Sequence, residues 1–203
     1  MVDDDPQVGP AQRVVDAADE LFYARGIRAV GMDDVRNAAG VSLKRLYSLF
    51  PGKDSLVLAV LRKRHEMWTE GLTEAVESIA EPRDRLLAVY DYLAEWFADD
   101  GFRGCGFINA FGELGSTSPE VAAYAREHKR SFQAQLAALV ADAGYDVSLA
   151  PQLAILAEGA QTTAAIEGSP EAASHARRAA QTLIEAAAST GPDATVSGSR
   201  SAR

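Results

Sequence analysis

The stretch MDDVRNAAGVSLKRLYSLF, from Met32 to Phe50, collects side chains that suit the edges and phosphates of a nucleic-acid duplex. Guanidinium and ammonium groups can read guanine in a major groove, and hydroxyls can hold phosphate oxygens. Leu43, Lys44, Arg45, Tyr47 and Ser48 are spaced to face outward from a short helix that Ser42 opens. Arg36 precedes this group and Lys53 follows it. Together Arg36, Ser42, Leu43, Lys44, Arg45, Tyr47, Ser48 and Lys53 are the candidate DNA-contacting residues.

Two short helices around a glycine must hold these side chains in place. Val35, Ala38 and Ala39 can pack against Val41, Leu46 and Phe50, while Gly40 supplies the positive φ of a tight turn. The layout is that of a helix-turn-helix, although a plain helical corner has the same outline. Charge separates the two readings. The chain of 203 residues carries a formal net charge of -9, which alone is unfavourable for binding a polyanion. Yet Arg36, Lys44, Arg45, Lys53, Arg62, Lys63 and Arg64 stand against the single acid Asp54 over residues 36–64, so positive charge is segregated around the motif.

Here the sequence resembles the TetR family of transcriptional regulators. The resemblance rests on Ala17-Ala18, Leu21-Phe22, Gly26, Asp34-Val35, Ala38-Ala39-Gly40-Val41-Ser42, Leu46-Tyr47, Phe50 and Lys53, over about residues 12–60. It implies that Tyr47 and Lys53 hold DNA phosphates. Three positions depart from the family pattern: Val30-Gly31 stands where a hydroxyl residue often precedes helix two, Lys44-Arg45 replaces small residues, and Leu49 replaces a histidine or tyrosine. The resemblance further implies an all-α homodimer, a palindromic operator and release by an unknown small-molecule effector. The fourth helix would shift on effector binding and change the separation of the two recognition helices.

The remaining pattern is also all-α. Eight prolines fall between alanine-rich, helix-length segments, and each marks a boundary because proline breaks a helix interior. Nine helices are expected, at about 12–25, 33–39, 43–50, 53–79, 84–99, 104–114, 118–143, 148–167 and 169–188. The expected organisation is a disordered arm at 1–9, a helix-turn-helix DNA-binding domain at 10–55, a ligand-binding and dimerisation domain at 56–188, and a disordered tail at 189–203. Leu153, Leu156, Ala157, Ala160 and Ala164, with Ala176, Ala179, Ala180, Leu183 and Ala187, form small-residue faces suited to a homodimer through the last two helices. Packing inside one chain is the alternative.

Aromatic residues of the C-terminal part could line an effector cavity or simply fill the core. Trp68, Trp96, Phe107, Phe111 and Tyr124, with the polar Asn109, Glu113, Gln161 and Thr162, are the candidate ligand-binding residues. Cys105 offers a redox-sensing alternative, and a DNA-binding protein without an effector is another. No catalytic motif is present: GxSxG, HExxH, a phosphate loop and a dinucleotide fingerprint are all missing, and His65, His128 and His175 are scattered. The expectation is therefore a protein that is not an enzyme, with no cofactor and no metal site. The acidic N-terminus and the absence of a long apolar run suggest a cytoplasmic protein with no membrane partner.

Overall fold

The computed structural model describes residues 9–189; the arm expected at 1–9 and the tail expected at 189–203 lie outside these residues apart from Gly9 and Ser189. The described residues form nine helices and no strands: α1 (Pro10–Arg25), α2 (Met32–Ala38), α3 (Leu43–Leu49), α4 (Lys53–Glu77), α5 (Pro82–Phe97), α6 (Gly106–Leu114), α7 (Pro119–Asp142), α8 (Leu149–Glu167) and α9 (Glu171–Ser189). Proline opens α1, α5 and α7, where a missing N–H costs nothing. Ser169 accepts a hydrogen bond from the Glu171 N–H at 3.2 Å, capping α9.

The chain divides into two compact units, one of residues 1–71 with 103–129 and one of residues 72–102 with 130–203. Both α4 and α7 continue from the first unit into the second. In the first unit, Val14, Ala18 and Phe22 of α1, Val35 of α2, Leu46 of α3 and Leu56, Val60 and Leu61 of α4 share one apolar core with Phe107 and Ala110 of α6. Val35 and Ala39 are buried on one face of the α2 end, but Ala38 turns outward, contrary to its expected packing role, because it falls off that face. Gly26 ends α1 at φ 86° and ψ 148°, an extended glycine conformation rather than the left-handed helical cap its position suggests.

A charged staple joins α1 to α4. Asp19 is 8% exposed, and its carboxylate accepts from Arg64 Nε and lies 3.2 Å from Lys63 Nζ, which also reaches Asp16 at 2.7 Å. Burial alone would lower the Lys63 pKa, but the two aspartates outweigh it and raise it. The Arg64 guanidinium lies over the Tyr23 ring, 3.8 Å from its centre.

Where α4, α6 and α7 meet inside the same unit, His128 Nδ1 is 3.0 Å from His65 Nδ1 and its ring stacks on Phe107 at 3.6 Å. Trp68 and His65 each approach the His128 ring edge-on. Burial, reinforced by the nearby Lys129 charge and by His65, lowers the His128 pKa to about 3, so the ring is neutral in the native protein.

In the second unit α5, α8 and α9 pack on one another. Leu86, Val89 and Leu93 of α5 are fully buried, and the buried Tyr90 hydroxyl donates to the Leu153 carbonyl at 2.8 Å. Leu153, Ala157, Ala160, Ala164, Ala176 and Ala180 are all buried within the single chain. These positions of the expected dimer face are therefore intramolecular core. The opposite side of α8 carries Ile155, Gly159, Thr162 and Ile166, exposed and spaced by four, three and four, with the isoleucines 70% and 80% accessible.

Two predictions follow from this packing. Replacing Asp19 with Asn should cost about 2 to 3 kcal/mol in urea unfolding, because it leaves the partly buried Arg64 without a counter-charge and Lys63 with Asp16 alone. A loss under about 0.5 kcal/mol would mean that solvent screens the staple. His128 binds a proton more readily unfolded than folded, so stability should fall as pH drops from 6.5 toward 3, by at most about 1.4 kcal/mol per pH unit. The His128→Gln variant should show a shallower slope over that window, and equal slopes would exclude a buried neutral histidine.

Candidate nucleic-acid interface

The outer surface of α3 is built from its register. With Leu46 fully buried beneath it, Leu43, Lys44, Arg45, Tyr47 and Ser48 are all exposed, as their spacing predicts. Leu43 and Tyr47, four residues apart, are 43% and 46% accessible, so an apolar strip runs beside the cationic pair. Ser42 caps the helix, its hydroxyl accepting from the Arg45 N–H at 3.2 Å, and the Ser48 hydroxyl donates to the Arg45 carbonyl at 2.7 Å. Gly40, at φ 64°, makes the turn into this helix.

The flanking candidates are held differently. Arg36 Nε pairs with Asp33 Oδ1 one turn back at 2.8 Å, which spends part of its charge within α2. Lys53 is half-buried at the start of α4, its Nζ 5.9 Å from the centre of the Phe22 ring. At the Val30-Gly31 departure, Val30 is buried and the Gly31 N–H donates to Asp34 Oδ2 at 2.8 Å, so a carboxylate three residues into α2 caps the start of that helix. The positive segment is less free than its sequence suggests, since Lys63 and Arg64 are turned into the staple with α1.

The candidate ligand residues are distributed over both units. In the first, Phe107 is buried and Trp68 and Tyr124 are half-buried around the histidine pair. Asn109 and Glu113 line a small open cleft with Phe22, Tyr23, Val57 and Leu61. Asn109 Nδ2 donates to the Arg103 carbonyl at 3.0 Å, and Phe111 is turned to solvent with the Arg126 guanidinium 5.8 Å from its ring centre. In the second unit Gln161 is buried, Trp96 meets Phe102 edge-on, and Thr162 is exposed with its hydroxyl donating to the Glu158 carbonyl. Cys105 is buried at the start of α6, with Lys129 Nζ 3.7 Å from its sulfur.

Sequence reasoning missed three arrangements: the Asp19 staple, the His65–His128 pair and the bonds of Glu113. For the first a signal existed, since Asp16 and Asp19 share a face of α1 and Lys63 and Arg64 are adjacent on α4. Glu113 accepts at its two carboxylate oxygens from the Ile27 N–H at 2.9 Å and the Arg28 N–H at 2.7 Å. Nothing in the local sequence pairs residues so far apart.

Among the described residues no helix is long and apolar enough to cross a membrane, and no cluster of three or more His, Cys, Asp or Glu side chains could hold a metal ion. Residues 14–60 match the model for bacterial regulatory proteins of the tetR family, and residues 82–180 match the tetracyclin repressor-like C-terminal domain. The HTH-type transcriptional activator FasR of Mycolicibacterium smegmatis is 35% identical over 107 residues, 53% of this chain and 48% of that protein. The match thus spans about half of that relative's length. A TetR-family transcriptional regulator from Streptomyces coelicolor has the same fold at a TM-score of 0.79 and 27% identity, over 88% of this chain and 96% of the other. A transcriptional regulator from Saccharomonospora viridis, solved in complex with choline, shares the fold at a TM-score of 0.70 and 18% identity, over 86% and 95% of the two chains. A helix-turn-helix that exposes its second helix, an all-α remainder and matches over both parts agree: the chain belongs to the TetR family of DNA-binding transcriptional regulators.

Proposed function

We propose that the protein is a repressor that binds a palindromic operator as a homodimer and is released by a small-molecule effector. The observation that carries the DNA reading is the exposed α3 surface, where Lys44, Arg45 and Tyr47 stand free above a buried Leu46. Arg45 and Lys44 read base edges, Leu43 meets a thymine methyl, and Tyr47, Ser48 and Lys53 hold phosphates, with Ser42 and Arg36 at the edge of the contact. Residues 10–55 form the DNA-binding part and 56–188 the effector and dimer part. Action on chromosomal DNA would place the protein in the cytoplasm.

Dimerisation is assigned to α8 and α9, through a face shifted from the one the sequence suggests. Ile155, Gly159, Thr162 and Ile166 form the exposed stripe, and an open glycine allows close approach of a second helix. A two-fold dimer presents two α3 helices to successive turns of one groove, which favours a palindrome. Effector release is supported by the continuity of α4 from one unit into the other, since a shift of this helix would reach Lys53 at its start. Coupling of about 1 to 3 kcal/mol is typical of such switches. Trp68, Trp96, Phe107, Asn109, Phe111, Glu113, Tyr124, Gln161 and Thr162 remain the residues to probe for effector contact. The burial of Cys105 weighs against redox sensing through its thiol.

Selection from a random duplex library should recover a palindromic site, and transcription from a promoter carrying it should fall when the protein is added. Recovery of no preferred sequence, or a rise in transcription, would overturn the repressor reading. On the selected duplex, Arg45→Ala should cost roughly 1 to 3 kcal/mol and relax preference at one base pair per half-site, whereas Tyr47→Phe and Lys53→Ala should weaken all sequences alike. Binding by all three at the wild-type level would sink the interface. For the dimer, Ile166→Glu should shift the protein to monomer in sedimentation analysis, and an unchanged mass would remove the α8 stripe from the interface.

A further inference from the structure

The short helix α6 is joined to α1 and the chain that follows it by polar clamps at both of its ends. At the N-terminal end the Tyr23 hydroxyl donates to the Gly104 carbonyl at 2.7 Å and accepts from the Arg103 N–H at 2.9 Å. At the C-terminal end both Glu113 oxygens take the consecutive N–H groups of Ile27 and Arg28, and Arg28 Nε returns a bond to the Glu113 carbonyl at 2.8 Å. Between the clamps lies a small open cleft, lined by Gly106 and Asn109 on α6 and by Phe22, Val57, Val60 and Leu61 opposite. Phe107 and Ala110 pack α6 into the apolar core, and the polar bonds add direction at its two ends.

The Glu113 clamp acts on the connection that enters the helix-turn-helix. Ile27 and Val30 are buried anchors of that connection, and the Val30 N–H bonds back to the Ile27 carbonyl at 3.4 Å. One residue further on, the Gly31 carbonyl accepts from Asp34 and Val35 at the start of α2. Gly26 turns the chain at φ 86° against the carboxylate, where an added Cβ would sit 3.4 Å from Glu113 Oε1. A carboxylate accepting two backbone N–H bonds is among the stronger neutral-to-charged arrangements, and it holds direction as well as distance.

We propose that Glu113 is a positioning residue through which α6 sets the helix-turn-helix, so that displacing α6 weakens DNA binding although no DNA-contacting side chain is replaced. The route runs from α6 to the α1–α2 connection and does not require α4 to move. It rests on the DNA-binding reading for its output, although its first step is internal to the fold.

The test uses the full chain and the selected duplex. Glu113→Gln is isosteric but turns one acceptor into an NH2 group that cannot accept, and Glu113→Asp keeps the charge while falling one methylene short. Amide exchange should accelerate in Glu113→Gln at Ile27 and Arg28 and spread through α2 into α3, residues 43–49. Acceleration confined to 27 and 28 would mean local capping alone and would overturn the proposal. Operator affinity should fall roughly tenfold in Glu113→Gln with base preference unchanged, and by a smaller factor in Glu113→Asp. Wild-type affinity in both would also overturn it. If the glutamine variant fails to fold, Glu113→Asp carries both measurements. If the wild-type chain selects no duplex, the DNA reading fails, while the exchange experiment still decides whether Glu113 sets the helix-turn-helix.

Discussion

The first unit depends on the Asp19 carboxylate, held at the α1–α4 contact between Arg64 and Lys63. An isolated carboxylate would be costly at 8% exposure, so the two cations must remain where they are. That fixes the register of α4 against α1 at residues 63–64 and, three helical turns earlier, the position of Lys53 at the α4 start. Apolar contact alone would constrain this less, because Val, Leu and Ile side chains tolerate sliding that a paired ion does not. The stacking of Arg64 on Tyr23 extends the same constraint to the clamp at the beginning of α6.

The staple also revises the electrostatic picture. Seven basic residues between 36 and 64 look like one cationic surface when read along the chain. In the folded unit Lys63 and Arg64 face α1, Arg36 pairs with Asp33, and the Arg62 guanidinium lies 5.9 Å from the centre of the Tyr124 ring. Lys44 and Arg45 remain exposed on α3, with Lys53 half-buried nearby. A smaller positive surface on a chain of net charge -9 attracts a polyanion through few contacts, so its DNA affinity should depend on geometry at α3 more than on bulk charge.

Helix positions were legible in the sequence because proline, glycine and caps act locally. Pro82 and Pro119 open helices within a residue or two of the expected points, and Ser42 caps α3 where it should. The outward face of α3 was legible for the same reason, since Leu46 fixes the rotation of a seven-residue helix. The face of α8 was not. That helix carries small or apolar residues around most of its circumference, so periodicity cannot say which stripe meets α5 and α9 and which remains outside. Glu113 was equally opaque: spacing marked it as a polar group near Asn109, but its partners are backbone N–H groups, which every sequence contains and no side-chain pattern locates.

The exposed apolar residues fall on surfaces of different chemistry. Of the seven large hydrophobics exposed among the described residues, Leu43 and Tyr47 lie on α3 and Ile155 and Ile166 on α8. An isolated apolar side chain at the surface is ordinary, but a pair at helical spacing on one stripe is a surface shaped for contact. The two stripes differ in chemistry. That on α3 is flanked by Lys44, Arg45 and Ser48, whereas that on α8 is flanked by Gly159 and Thr162, with no positive charge on the stripe. A polyanion fits the first and an apolar helix face fits the second, so residues with similar hydropathy separate into two kinds of surface once their neighbours are counted.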